Sequence, residues 1–215
     1  MDRPLHLATY LLAYDTARQT LYDRTRTGFL LRAAALAELA RCGAVVDAGG
    51  KVAATAAGAT GDPVLDAVLA GVGEHGRRWK AWIRRDREDT VEAVEQRLAV
   101  LGAAVIEDRD PYGPPARRRL LLPDPAEALA LQRRTAALIR GEHEVAAAST
   151  ADAALAALAA VGGVPFVAPR GEQRANRARV RELTDCLAEL APDLAKAVGG
   201  LGTTMVAAQG GMGGG

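Results

Sequence analysis

Residues 28–52 read GFLLRAAALAELARCGAVVDAGGKV and combine the two kinds of element that the chain repeats. Apolar side chains recur with a helical period of about 3.6 residues over 28–42, which predicts a buried helix. Gly43 ends it, and the alternating segment that follows turns at Gly49-Gly50, which predicts a β-hairpin. One arginine, Arg32, interrupts the apolar helix. A helix followed by a hairpin is typical of winged-helix DNA-binding domains, but it also occurs in other small domains.

A second unit of the same kind follows at residues 89–122, where a periodic segment ends at Gly102 and two extended segments come after it. Further helices are expected at 5–13, 63–72, 125–141, 149–161 and 172–198, the last bent or divided at Pro192. These patterns predict a mainly α fold, a compact single helical domain decorated with short β-hairpins. The domain is expected to cover residues 1–200, with a flexible glycine-rich tail at 201–215.

Composition excludes several classes of function. The 215 residues include 27 basic and 26 acidic side chains, a formal net charge of +1, which argues against a general nucleic-acid binder. Two cysteines and three scattered histidines provide no disulfide framework and no set of metal ligands, so no metal or other cofactor is expected. No apolar run reaches the roughly 18–20 residues that span a bilayer, and the N-terminus lacks secretory-signal features. Any membrane role is therefore expected to be peripheral, from the cytoplasm.

We find no pattern that predicts catalysis. The sequence has no nucleophile elbow, zinc-protease motif, P-loop or Rossmann glycine pattern. The carboxylates at 86, 88 and 89 alternate with the arginines at 84, 85 and 87, which is typical of solvated ion pairs. An enzyme is therefore not expected.

Two aromatic or basic segments each allow two interpretations. Trp82, beside several arginines, either meets a membrane interface or a nucleic-acid base, or fills a core that has few aromatic residues. Arg117, Arg118 and Arg119 precede Leu120–Leu122. They belong either to a basic, apolar arm that reaches an anionic lipid surface, or to the charged flank of a buried strand.

Four blocks of the sequence, taken in order, resemble the Golgi phosphoprotein 3 family. They are LHLATYLLAYD at 5–15, LAELARCGAVVDAGGKV at 36–52, ATGDPVLDAVL at 59–69 and RLAVLGAAVIED at 97–108. Trp82-Ile83 also falls where the family has a tryptophan followed by isoleucine or leucine. The resemblance covers roughly residues 5–125, with a weaker helical match to about 195, and Thr60-Gly61-Asp62 is its most specific element. Short loops and the alanine and arginine bias indicate a bacterial member.

The resemblance implies an all-α domain with small hairpins that binds phosphatidylinositol 4-phosphate at a membrane surface. In eukaryotic members a tryptophan and several arginines hold the headgroup, an apolar hairpin enters the bilayer, and glycosyltransferase tails are recruited. Recognition by arginine is chemically reasonable because the guanidinium fork matches phosphate oxygens. In a bacterial member, the implied location is the cytoplasm or the inner face of the membrane.

The family's headgroup residues carry over only in part. Arg32 matches the family arginine that lies four residues before Leu36, the start of the second block, and Arg97 begins the fourth block. The tryptophan position falls at Asp23 or, with a shift of one residue, at Tyr22. Two further arginine positions fall at Glu92 and Glu95, whose carboxylates repel a polyanion.

The implied headgroup set is therefore Arg32, Tyr22 and Arg97, with Arg24 and Arg26 on the preceding loop as replacement donors. The implied membrane-contact hairpin comprises Tyr112, Arg117, Arg118 and Arg119. Independently of the resemblance, Arg32 has a structural interpretation, an ion pair with Glu38 or Glu95.

Three functions remain open at this point. The first is a peripheral module that binds an anionic phospholipid and serves an unidentified protein partner. The second is a winged-helix-like module for DNA or protein interaction, which offers only Arg32 and Arg41 on its recognition helix although a DNA reader neutralises several phosphates. The third is a scaffold that self-associates into a homo-oligomer through its hairpins.

Overall fold

A computed structural model of the chain describes residues 3–108, 118–167, 169–203 and 205. These residues form helices decorated with three two-stranded antiparallel hairpins, which confirms the mainly α fold. The helices are α1 (Leu5–Leu12), α2 (Arg24–Arg41), α3 (Pro63–Glu74), α4 (Trp79–Arg84), α5 (Arg87–Val100), α6 (Ala126–Arg140), α7 (Thr150–Gly162), α8 (Arg170–Ala175), α9 (Arg177–Asp185) and α10 (Pro192–Gly199). The paired strands are β1 (Tyr14–Asp15) with β2 (Thr20–Leu21), β3 (Val45–Ala48) with β4 (Lys51–Ala54), and β5 (Val105–Asp108) with β6 (Arg118–Leu121).

The helix α2 is the centre of the fold. It begins four residues before the predicted start because the Asp23 side chain caps it, accepting a hydrogen bond of 2.8 Å from the backbone amide of Arg26. All residues from 27 to 39 are buried, and α1, α3, α4, α5 and α7 pack around them. A helix buried on every side has no free face for the major groove of DNA. The prediction of α2 as a recognition helix is therefore wrong.

Buried apolar side chains form two clusters on either side of α2. The smaller joins α1 and α5 to β6, and the larger joins α2 to α4, α7, α9 and α10. Trp79 and Trp82 belong to the larger cluster and are each 1% exposed, so Trp82 fills the core, as its structural interpretation predicted. In the β3–β4 hairpin, Val45 and Val52 are buried, and Gly49 and Gly50 take the positive φ angles, 64° and 83°, that its two-residue turn requires.

The structure contains one hairpin that was not predicted, and it corrects one helix prediction. The polar stretch after α1 contains the β1–β2 hairpin, whose turn is stabilised by the Asp15 carboxylate accepting bonds from the next amides. The division expected at Pro192 is confirmed, because α10 begins there, but the segment before it is not one helix: α8, α9 and a 3₁₀ turn at Cys186–Glu189 occupy it. Ala191 is extended before Pro192, as residues before proline prefer, and this ends the preceding turn. Leu201 and Met205, within the predicted tail, are buried in the larger cluster.

Candidate functional site

The block Thr60-Gly61-Asp62 forms a junction between α1, α3 and α5. The Asp62 carboxylate caps α3 by accepting bonds of 3.0 and 3.3 Å from the amides of Val64 and Leu65. It also pairs with Arg97 Nε at 3.1 Å and lies 3.3 Å from Nε2 of His6, whose side chain is fully buried. The predicted headgroup residue Arg97 is thus held by a buried carboxylate.

The electrostatics of this junction favour an ionised Asp62. Burial by itself raises the pKa of the Asp62 carboxyl group, but the contact with His6 and the two α3 amides outweigh it and hold the pKa well below its usual range. The charged form of Asp62 is therefore part of the folded structure.

A groove of about 470 Å³ lies between α2 and α5, and the β1–β2 and β5–β6 hairpins close one side of it. Its lining residues are Thr20, Arg24, Thr25, Gly28, Arg87, Glu88, Glu92, Glu95, Gln96, Ile106 and Leu120. A Cβ atom on Gly28 would lie 3.0 Å from Cβ of Arg87, so the glycine allows the start of α5 to approach α2 closely.

Arg24 and Glu95 face each other across the groove. The guanidinium donates two bonds to the carboxylate, of 2.6 and 3.1 Å, and the Tyr10 hydroxyl donates a third to Glu95 at 2.9 Å. Burial lowers the pKa of Arg24, but the pair with Glu95 and the nearby Glu92 raise it above its ordinary value. Arg24 is therefore the predicted headgroup residue that does reach the groove, where a carboxylate already holds it.

Arg87 supplies the second guanidinium of the groove. Its Nε donates a 3.0 Å bond to the carbonyl of Arg84, and its guanidinium carbon lies 4.1 Å from the ring centroid of Phe29, a cation–π distance. Glu88 and Glu92 make no ion pair within 4.0 Å among the described residues. The groove thus combines two guanidinium groups with three carboxylates. For Arg87 and Glu88 the alternating charges had predicted only solvated ion pairs.

Arg32 lies one turn beyond Gly28 on α2 and is not among the groove's lining residues. It is 3% exposed, and its guanidinium donates to the Trp82 carbonyl at 3.2 Å and, at a long 3.5 Å, to Thr90 Oγ1. Burial lowers its pKa. The predicted pairing with Glu38 or Glu95 is wrong, because Glu38 pairs with Arg41 at 2.6 Å and Glu95 pairs with Arg24. An anion contact at Arg32 requires this side chain to become exposed.

Tyr22 and Arg119 are not among the residues that line the groove. The Tyr22 hydroxyl donates a 2.9 Å bond to the carbonyl of Gly162, and its ring meets Phe166 edge-on. Arg119 donates to the carbonyls of Gln19, at 2.9 Å, and Arg18, which ties β6 to the β1–β2 turn. The backbone of Arg118 pairs with that of Asp108. Tyr112 and Arg117 lie outside the described residues.

Two other features are absent from the described part of the chain. No three His, Cys, Asp or Glu side chains converge there in a way that holds a metal ion. None of the described helices is long and apolar enough to cross a membrane.

The family model of Golgi phosphoprotein 3 (GPP34) matches residues 5–201 of this chain. The match includes the junction at Asp62 and both helices that form the groove. No curated protein matches the chain.

Proposed function

We propose a function from the premise that this chain belongs to the Golgi phosphoprotein 3 (GPP34) family. The protein is a peripheral membrane protein that binds an anionic phospholipid headgroup in the groove between α2 and α5. The family match over residues 5–201 is the observation that carries the proposal. Phosphatidylinositol 4-phosphate is the headgroup that the family resemblance implies, so it is the first lipid to test.

The groove contains the donors that such a headgroup needs. Arg24 and Arg87 both line it, and the Arg24 side chain is 48% exposed although it is paired with Glu95. A phosphate monoester that takes the place of the Glu95 carboxylate meets the two N–H donors of Arg24 that now bond Glu95. Glu88 and Glu92 oppose this exchange, because carboxylates in the groove repel the incoming anion. We therefore expect modest affinity that falls as salt concentration rises.

Co-sedimentation with vesicles tests the proposal. We expect the protein to pellet with vesicles that contain phosphatidylinositol 4-phosphate, and not with phosphatidylcholine alone. Arg24→Gln is expected to weaken this binding roughly tenfold, the worth of one charge-assisted hydrogen bond. Glu92→Gln is expected to strengthen it severalfold, because it removes a repulsive charge without removing volume.

Arg133→Gln is the matched control for Arg24→Gln, since Arg133 is an exposed arginine on α6 that does not line the groove. Its binding should equal that of the wild type. If neither the wild type nor Glu92→Gln pelleted with any anionic vesicle, the lipid function would be refuted while the family fold would stand.

A further inference from the structure

Five exposed cationic side chains cluster around α4, and we call this surface the basic face. Its members are Lys51, Arg77, Arg78, Lys80 and Arg84. The backbone holds them together: the Val52 amide donates a 2.9 Å bond to the carbonyl of Arg77, and Lys51 and Arg78 form an antiparallel bridge. The β3–β4 hairpin is thereby joined to the segment that leads into α4.

The two sides of α4 differ sharply in character. Trp79, Trp82 and Ile83 point into the core and are at most 1% exposed. Lys80 and Arg84 are one turn apart on the opposite, solvent-facing side. The solvent-facing side of α4 therefore presents cationic side chains and none of its aromatic rings.

The positive charge of the basic face is not neutralised locally. Among the described residues, none of its five side chains has a carboxylate within 4.0 Å. The exposed arginines of α8 and α9 differ, because acidic residues lie before and after them on the same helices. These arginines are Arg174, Arg177 and Arg181, and the acids are Glu172, Glu182 and Asp185. A formal net charge of only +1 means that the basic face is a local concentration of charge.

Two polyanions carry enough charge to bind such a surface, nucleic acid and an anionic membrane. Single-stranded nucleic acid is normally held by exposed aromatic side chains as well as by cations, and both tryptophans here are buried. Duplex DNA is read by an element that enters a groove, whereas α4 has six residues, about 9 Å in length, and one side of it is packed against the core. An anionic lipid surface requires only clustered charge.

We infer that the basic face docks on the surface of an anionic phospholipid bilayer through charge, without selecting a headgroup. The inference rests on the proposed function and adds the surface that carries the protein to the membrane. The basic face continues into the groove along the chain, since Arg84 at its edge accepts the bond from Arg87 of the groove. The face supplies attraction to any anionic leaflet, and the groove supplies the choice of headgroup.

Two triple variants test the inference. The first, Arg77→Gln with Lys80→Gln and Arg84→Gln, removes three charges from the basic face. The matched control, Arg174→Gln with Arg177→Gln and Arg181→Gln, removes three exposed charges from α8 and α9. Binding to phosphatidylcholine vesicles with and without phosphatidylglycerol is measured at two salt concentrations, and circular dichroism verifies that each variant is folded. Each basic residue near an anionic leaflet contributes roughly fivefold to binding, so the first variant should bind roughly 100-fold more weakly and the control as the wild type.

The outcomes separate this inference from the proposed function. Suppose that the wild type binds anionic vesicles. If both triple variants bind as well as the wild type, or lose binding to the same extent, the docking role of the basic face is refuted, whereas the proposed headgroup site in the groove is not. If the wild type binds no anionic vesicle, both fail. A preference for phosphatidylinositol 4-phosphate that survives in the first variant and disappears in Arg24→Gln supports both. Displacement of the protein from vesicles by RNA or duplex DNA at lower concentration than the lipid refutes the membrane as partner.

Discussion

Replacing Asp62 with alanine should destabilise the protein more than any other removal of a single charge among its described ion pairs. The change removes the cap of α3, which costs about 1 kcal/mol, and leaves Arg97 and the buried His6 without their carboxylate. Breaking a fully buried pair costs roughly 3–5 kcal/mol, and the partial exposure of the Arg97 side chain, 25%, reduces that to about 2 kcal/mol. We therefore expect the free energy of unfolding to fall by about 3 kcal/mol, a large share of a typical 5–15 kcal/mol.

Urea unfolding at neutral pH, followed by circular dichroism, measures this loss. The control is Glu142→Ala, which breaks the pair between Arg140 and Glu142, because that pair is short, 2.6 Å, but its side chains are 42% and 53% exposed. An exposed pair contributes at most about 1 kcal/mol, so the control should change little. If Asp62→Ala and Glu142→Ala lowered stability by similar amounts, the argument that burial gives the Asp62 junction its strength would be refuted.

The same junction predicts a dependence on pH. The folded pKa of Asp62 lies below the unfolded value of about 3.9, so its contribution to stability is fully present above the unfolded pKa. That contribution is lost as the pH falls through the folded pKa, because the unfolded chain takes up the proton first. Asp62→Asn retains a capping oxygen but does not titrate. Its stability should therefore fall less steeply than that of the wild type below about pH 4, and identical slopes would contradict the assignment.

Three further predictions follow from the packing around α1, α2 and α7. Gly162→Ala should lower the free energy of unfolding by about 1–3 kcal/mol, since the new Cβ would lie 2.5 Å from Leu30 Cδ1. Gly73→Ala, on the open surface of α3, should instead raise it by roughly 0.4–1 kcal/mol, and thermal melts compare the two variants. Arg32→Met removes a buried charge that has two weak hydrogen-bond partners, so the free energy of unfolding should change by less than about 1.5 kcal/mol. If the folded variant no longer bound vesicles, Arg32 would be shown to contact the lipid. Gln132→Ala removes the side-chain amide that donates to three backbone carbonyls where α1 ends and β1 begins. A loss of about 2 kcal/mol is expected in urea unfolding, and no loss would contradict that role.

Local patterns predicted most of the fold because they are decided by nearby residues. The end of α2 before Gly43, the turn at Gly49-Gly50 and the end of α5 before Gly102 all depend on residues a few positions apart. The division at Pro192 is a local signal of the same kind. The breaks between α8 and α9 and at Cys186–Glu189 depend instead on how these segments pack, and the helical period continues across them. Likewise, no pattern within α2 shows that α1, α4, α5 and α7 surround it, so its burial on every side was visible only in the structure.

The site was harder to predict than the fold because the residues that identify the family are mostly committed to structure. Asp62 and Arg97 belong to two different family blocks, yet they pair with each other, and His6 of a third block lies against the same carboxylate. These blocks therefore specify how α1, α3 and α5 meet. The charge of the groove is set by residues outside the blocks, Arg24, Glu92 and Glu95, which can change while the junction stays intact. Family membership therefore predicts the architecture of this chain better than it predicts the ligand. Replacement of the groove glutamates tests ligand binding directly, because it leaves the junction at Asp62 unchanged.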